Sequence, residues 1–484
     1  MRCILFLLYL VIPIFLFAQT PEQVRKITEN YDQSKLQNLQ EKFYDQSIKD
    51  KAFALKYAKQ NDIETQITYP DGSYAELQKV LPDGTLIYNT TYNADAAEST
   101  RTNHLNIGGS TGFDLDGQNM KAYVWDGGHA RESHQEYDGS GGNNRITVED
   151  AADEGGLQLS SHGTHVIGTI AASGVESEAK GMAPRSQVKS YKWNSDLAEA
   201  VTAATNGMLV SNHSYGDKTS ILNDSLFGAY RPKSRDWDVL HYNAPYYLMV
   251  VAAGNDGNTN YNDDPLNTTY PQYDKLSRFG VTKNNMVVAN SQDANVDSNG
   301  NLNSVSINSS SSQGPTDDLR IKPDITGNGT GLYSTTESSD TSYGFKTGTS
   351  MASPNVAGSL LLLQEHYNNI NNTFMRSASL KGLALHTADD IGMNGPDAIH
   401  GWGLMNAKRA AETITENGNS SLIQELTIAQ GQTYTIDVDA NQLEDLIASI
   451  SWTDPAGIAT TDLNNTSPRL VNDLDIKITK NTDE

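Results

Sequence analysis

The 484-residue chain has a single cysteine, Cys3, and it falls inside an apolar leader rather than in the body of the sequence. Disulfides, thiol catalysis and cysteine-ligated zinc are therefore excluded from the remainder. Basic residues are scarce: 35 Lys and Arg stand against 59 Asp and Glu, a formal charge of −24. So acidic a surface repels polyanions, which argues against nucleic acid and anionic membrane as partners. Long hydrophobic runs are lacking beyond the N-terminus. Ile4 to Phe17 is apolar almost throughout, preceded by Arg2 and followed by Ala18-Gln19. It is too short to span a bilayer comfortably and ends on a small residue, so residues 1–19 read as a cleaved export signal. The mature chain is then expected outside the cell, free of membrane. Without disulfides it must be stabilised by its core, and a structural calcium ion is left open.

After the leader, Thr20 to Asn61 has helical character, with Leu36, Leu39 and Phe43 on one face. Two turn signals follow, Pro70-Asp71-Gly72 and Pro82-Asp83-Gly84, between short β-prone runs. Residues 90–104 are small and polar and read as an exposed linker. Residues 20–100 are thus expected to be a separate pro-segment, released by a cut between about 90 and 105. From there apolar strand-like runs alternate with helical stretches: Lys121–Trp125, Val166–Ala172, Val188–Trp193, Leu197–Ala204, Tyr246–Ala253 and Val281–Ala289. Alternating β and α elements with all-apolar strands predict an α/β domain over 101–412, a mostly parallel sheet covered on both faces. Sites in such sheets form beyond the carboxyl ends of the strands. After a composition break near Glu412–Ser421, Tyr434, Ile436 and Val438, Leu446–Trp452 and Leu470–Ile478 predict the start of an all-β sandwich over 420–484. Three or four strands cannot close one, so further strands are expected beyond Glu484.

Four places carry chemistry. Asp126 follows Ala122-Tyr123-Val124-Trp125; His162 opens an apolar helical run; Ser350 stands in Gly348-Thr349-Ser350-Met351 before Leu360–Leu363. Serine is a poor nucleophile unless a base lies within hydrogen-bond reach, and neutral imidazole suits that task. A carboxylate holds the imidazole tautomer and stabilises the cation that forms. Asn255 ends the apolar run Tyr247–Ala253, where its amide could donate to a developing oxyanion alongside the backbone N–H of Ser350.

The ordered motifs Val-Trp-Asp-Gly-Gly, His-Gly-Thr-His-Val, Ala-Ala-Gly-Asn and Gly-Thr-Ser-Met-Ala-Ser-Pro resemble those of the subtilisin-like serine peptidases, the subtilases. Gly181-Met182-Ala183-Pro184, Gly314-Pro315-Thr316 and Gly401-Trp402-Gly403 add to the likeness, which covers roughly 105–410. The resemblance implies a three-layer subtilisin-like fold and a secreted, monomeric endopeptidase acting on protein or peptide substrates. It assigns Ser350 as nucleophile, His162 as base, Asp126 as its orienting group and Asn255 to the oxyanion. It further implies that Ser214, Tyr215 and Gly216, with Ala252, Ala253 and Gly254, bind substrate, and that the pro-segment is a partner. The chemistry needs no cofactor. A bulky Tyr215 would make one pocket wall favour large residues. Two departures stand out: Gly127 where many relatives have Thr or Ser, and Thr326-Gly327-Asn328-Gly329 where Ala-Pro-Gly is commoner. Trp452-Thr453-Asp454-Pro455 and Arg469–Asp475 resemble the β jelly-roll that follows the catalytic domain in some subtilases.

Blander readings hold elsewhere. His165 lacks the partners of a metal site and reads as packing. His129 and His134 read as surface residues or as supports of the aspartate motif. Asp293–Gly300 has the alternating oxygens of a calcium loop but no Glu at its twelfth position, and Asn299-Gly300 favours a hairpin. No metal ligand is assigned.

Overall fold

A computed structural model describes residues 19–68, 74–82, 84–91, 97–139, 144–440 and 445–480. Its centre is a seven-stranded sheet whose paired strands all run parallel. In chain order these are β4 (Lys121–Asp126), β5 (Ile146–Val148), β6 (Gln187–Lys192), β7 (Val210–His213), β9 (Leu248–Ala252), β10 (Met286–Ser291) and β13 (Ile325–Asn328). Their spatial order is β13-β10-β9-β7-β4-β6-β5, with Val124 facing Ser190 on one side and Asn212 on the other. The order reverses direction beside β4, which opens a crevice at the carboxyl ends of β4 and β7.

Helices cover both faces. Successive strand residues point to opposite sides, so the contacts of β7 identify the layers. Asn212 accepts a hydrogen bond from Ser353 of α6 (Thr349–Asn371), whereas His213 meets Trp237 of α5 (Pro232–Asn243) edge to face. Beside α6 lies α3 (Ser161–Ala171), and α4 (Asp196–Thr205), α7 (Ser377–His386) and α8 (Ala407–Thr415) complete the helical layers. Leu360 to Leu363 of α6 are all fully buried; burying each such side chain contributes about 1.5–3 kcal/mol. The α/β architecture therefore follows the sequence expectation.

The N-terminal module is α1 (Pro21–Thr28), α2 (Gln33–Asn61) and three antiparallel strands, β1 (Gln66–Thr68), β2 (Tyr74–Val80) and β3 (Leu86–Thr91). The first expected turn lies outside the described residues, as does Asp83 of the second. Leu36 and Phe43 are buried against the α/β core, and Leu39 packs beside them, as their spacing predicts. A buried carboxylate, Glu76, accepts from Lys51, Lys192 and the Trp193 indole N–H, joining module to core. Most telling, β3 runs antiparallel to β8 (Tyr215–Asp217), with Thr91 opposite Tyr215 and Thr90 opposite Gly216.

Two expectations need correction. The linker expected over 90–104 is not exposed throughout: Ser99, Thr100, Arg101 and Thr102 are buried. Arg101 forms an ion pair with Asp389 and donates to the Ser99, Gly300 and Met405 carbonyls, so a charge in a polar stretch acts as an anchor. Of the sandwich expected over 420–484 no strand is found among the described residues: after a bridge at Ser421, residues 422–440 and 445–480 contain none. Tyr434, Ile436 and Val438 are exposed, because alternation makes a strand only where an edge is offered to pair with and a layer to pack on. The segment docks instead through polar groups. Asp454 accepts from Lys283 and from the Val471 and Asn472 N–H groups, while Asn284 bonds its backbone on both sides. The expected hairpin at 293–300 forms as β11 (Asn295–Val296) and β12 (Leu302–Ser304), with Asp297 accepting from Asn299 and Asn301 N–H groups. Beyond it, β14 (Leu332–Thr335) and β15 (Tyr343–Lys346) pair before α6.

Candidate active site

Asp126 is the last residue of β4, His162 the second of α3 and Ser350 the second of α6, and all three are buried. Ser160 caps α3 by accepting from the Gly163 N–H at 3.0 Å, which fixes where His162 emerges. A Cβ at residue 163 would lie 2.7 Å from the Gly128 carbonyl oxygen and 3.3 Å from Asp126 Cβ. The glycine in His-Gly-Thr thus lets the helix approach the aspartate. Both Asp126 oxygens lie 2.8 Å from His162 Nδ1, so the N–H at that position donates to the carboxylate and Nε2 is left as the basic nitrogen. Where many relatives have a hydroxyl, Gly127 supplies its backbone N–H to Asp126 Oδ1 at 2.8 Å.

Ser350 Oγ donates to the Ser214 carbonyl at 2.8 Å, and Ser214 Oγ donates in return to the Ser350 carbonyl at 2.6 Å. Among the described residues no hydrogen bond joins Ser350 Oγ to His162, so the hydroxyl must exchange one acceptor for the other before it can react. Asn255 lies just past β9. Its Oδ1 accepts from the Thr349 N–H and hydroxyl at 2.9 and 3.0 Å, which assigns the amide oxygen and leaves the NH₂ as the outward donor. At the second position of α6 the Ser350 N–H has no acceptor within its own helix. The four residues singled out by sequence therefore converge at the carboxyl edge of the sheet, two of them at the positive ends of helices.

Tyr215, Gly216, Ala252, Ala253 and Gly254, which the resemblance assigned to substrate, line one pocket beside this edge; Ser214 is not among its lining residues and is hydrogen-bonded to Ser350. The tyrosine side chain offers the pocket little surface, however. Its ring is buried among Trp193, His213 and Phe279 and its hydroxyl donates to Asp196. The expected preference for large residues loses its basis. Sequence reasoning missed Asp256, Thr219 and Lys275, which also line the pocket. Burial pushes the Asp256 carboxyl up to about 6, against the opposing hydrogen bonds of Thr219 and Ser312 and the charge of Lys275. Lys275 itself donates to the Gly257 and Thr259 carbonyls. Adjacency to Asn255 could have flagged Asp256; nothing flagged a lysine that arrives from a separate loop.

The other histidines singled out by sequence are packed into the structure. His165 is buried with its Nε2 3.1 Å from the Leu332 and Gly344 carbonyls, and burial pushes its pKa down to about 3, so it stays neutral. His129 and His134 are fully buried rather than at the surface. His129 pairs with Asp150 at 2.9 Å and His134 contacts the Ser342 carbonyl at 2.8 Å. Among the described residues no group of three acidic, His or Cys side chains is placed to hold a metal.

Residues 56–403 match the model of the subtilase family. The chain belongs to that family. Subtilisin DY of Bacillus licheniformis is 28% identical over 299 residues, 61% of this subtilase and 92% of its own length. The PII-type proteinase of Lacticaseibacillus paracasei is 31% identical over 192 residues, 35% of this chain. That match spans only a tenth of the longer proteinase. The structure of the CspB protease of Clostridium perfringens aligns with a TM-score of 0.50 and 16% identity, covering 66% of this chain and all of that one, a likeness of fold alone. No helix among the described residues is long and apolar enough to cross a membrane.

Proposed function

We propose that this subtilase is a secreted serine endopeptidase, made as a precursor and acting through an acyl-enzyme. In this reading Ser350 Oγ leaves the Ser214 carbonyl, passes its proton to His162 Nε2 and attacks the scissile carbonyl. The oxygen of that carbonyl becomes anionic between the Asn255 amide and the Ser350 N–H. Asp126 holds the imidazole tautomer and faces the imidazolium as it forms. The proton then goes to the leaving amine, and water, deprotonated by the same imidazole, releases the acid. Carrying the proposal is the pairing of β3 with β8: a strand of the chain lies on the edge where an extended peptide substrate would add.

The same pairing supports the precursor reading. Thr91 lies on the substrate edge while Ser99 is fixed by Asn328 and Ala294, so the segment to be cut lies between them. In this reading the cut falls within the window of about 90–105 expected from sequence, between Thr91 and Ser99; residues 92–96 lie outside the described residues. N-terminal sequencing of the secreted form, with mass spectrometry of a digested mixed protein substrate, tests both parts. A mature N-terminus in that window and internal peptide-bond cleavage are expected. An uncut chain that leaves substrates intact would overturn the reading.

A further inference from the structure

The pocket beside Ser350 has walls of small residues, Gly216 of β8, Ala252 of β9 and then Ala253, Gly254 and Gly280. A Cβ at Gly216 would meet no atom within 4 Å, so that wall faces open space. Three charged residues also line it: Asp217, Asp256 and Lys275. Asp217 is taken up by Arg231 and Arg278. Asp256 and Lys275 are 7% and 5% exposed. Among the described residues no salt bridge joins these two, although each feels the other's charge.

Both groups keep hydrogen-bonding capacity in hand. The Asp256 carboxylate accepts from the Thr219 and Ser312 hydroxyls, and a carboxylate has sites for more. The Lys275 ammonium donates to the Gly257 and Thr259 carbonyls and has a third N–H. A hydrocarbon side chain entering this pocket would displace water and serve neither group, which is costly for buried charges. A charged side chain would satisfy one group and meet its own sign in the other. A neutral group that both donates and accepts serves the two together, and the candidates are a hydroxyl and a carboxamide.

The strand on the substrate edge chooses between them. Thr90 of β3 lies opposite Gly216 and Thr91 opposite Tyr215. Continued by one residue, that register brings residue 92 to Ser214, whose carbonyl holds the Ser350 hydroxyl. Residue 92 is a tyrosine; it lies outside the described residues and is assigned by sequence and register alone. On the reading that this site cleaves peptides, we propose that Asp256 and Lys275 read the hydroxyl of a tyrosine immediately before the scissile bond. The hydroxyl donates to Asp256 and accepts from Lys275, while the ring lies between the small walls. The selection is of tyrosine over phenylalanine, two rings of nearly one size, and it owes nothing to Tyr215. The first substrate is then the chain itself, cut at the Tyr92–Asn93 bond.

The test gives the secreted protein a set of peptides alike except for the residue before the scissile bond: Tyr, Phe, Leu, Gln or Lys. The kcat/KM for Tyr should exceed that for Phe by at least about tenfold, because phenylalanine leaves both buried groups unserved. Asp256→Ala and Lys275→Met should each lower the Tyr-to-Phe ratio several-fold, and the double variant should bring it near one. A variant that is merely unstable lowers both rates and leaves their ratio alone. In freshly secreted protein the first cut should follow Tyr92, and Tyr92→Phe should slow it by a similar factor. Equal rates for Tyr and Phe, a preference for Leu, Gln or Lys, variants that keep the parent ratio, or a first cut elsewhere would overturn the assignment while the endopeptidase reading stands. Failure to cut any peptide would overturn both.

Discussion

The segments flanking the catalytic region meet it in opposite ways. The N-terminal module buries Leu36 and Phe43 in the core and adds three strands to an edge, so its β-prone runs become a sheet. The C-terminal segment carries equally regular alternation at Tyr434, Ile436 and Val438, yet forms no strand among its described residues. It is held by Asp454 and Lys283, a buried charge pair surrounded by backbone donors and acceptors. The difference lies in the receiving surface rather than in local pattern. Strand β8 gives β3 an edge to pair with beside the cleft, whereas Tyr434, Ile436 and Val438 stay exposed. The N-terminal module thus lies along the edge beside the candidate site, whereas the C-terminal segment is anchored at Lys283 and Asn284.

The largest expected effect bears on the first half of that contrast. Ser350→Ala should lower kcat by about 10⁶, the magnitude known from subtilisin's own triad, and should leave the N-terminal module attached. Loss of activity with normal processing, read by gel and mass spectrometry, would separate the module from the active site. The second half is tested by Asp454→Ala, which strands Lys283 in the interior. Urea denaturation should show a loss of about 3–5 kcal/mol, with kcat of the processed enzyme changed less than about twofold. A large fall in kcat would bring the C-terminal segment into the chemistry. Asn255→Ala should lower kcat by about 10²–10³ with little change in KM, since its amide meets charge that exists only in the transition state.

The smallest effect concerns pH. The Asp256 carboxyl is raised from 3.8 to about 6 on folding, so the chain is favoured while that group is protonated. This contribution is complete below about pH 4 and is lost as pH rises through 6. In a Ser350→Ala background, Asp256→Asn should be more stable than the parent at pH 7, by on the order of 2 kcal/mol, with the gap narrowing toward pH 5. A gap that is constant with pH would remove Asp256 from the buried pocket floor.

Much of the site was legible because its residues sit next to strong local signals. Asp126 and Asn255 end apolar runs, and His162 and Ser350 begin helices, the first capped by Ser160 and the second opened by Gly348. Strand β7 was not legible, although it lies at the centre of the sheet. Its Val210-Ser211-Asn212-His213 looks polar, and only the fold shows Ser211 bonded to His213 and Tyr247, and Asn212 to Ser214 and Ser353. Arg101 was hidden for the same reason, since its partner Asp389 is 288 residues away. Polar residues satisfied by distant partners leave no periodic trace in the chain.

The most direct test of the catalytic reading is covalent labelling of the processed protein with a fluorophosphonate, followed by mapping of the adduct by mass spectrometry. The account predicts one adduct, on Ser350, lost when His162 is replaced by alanine. An unlabelled Ser350, under conditions that label an active serine hydrolase, would contradict it.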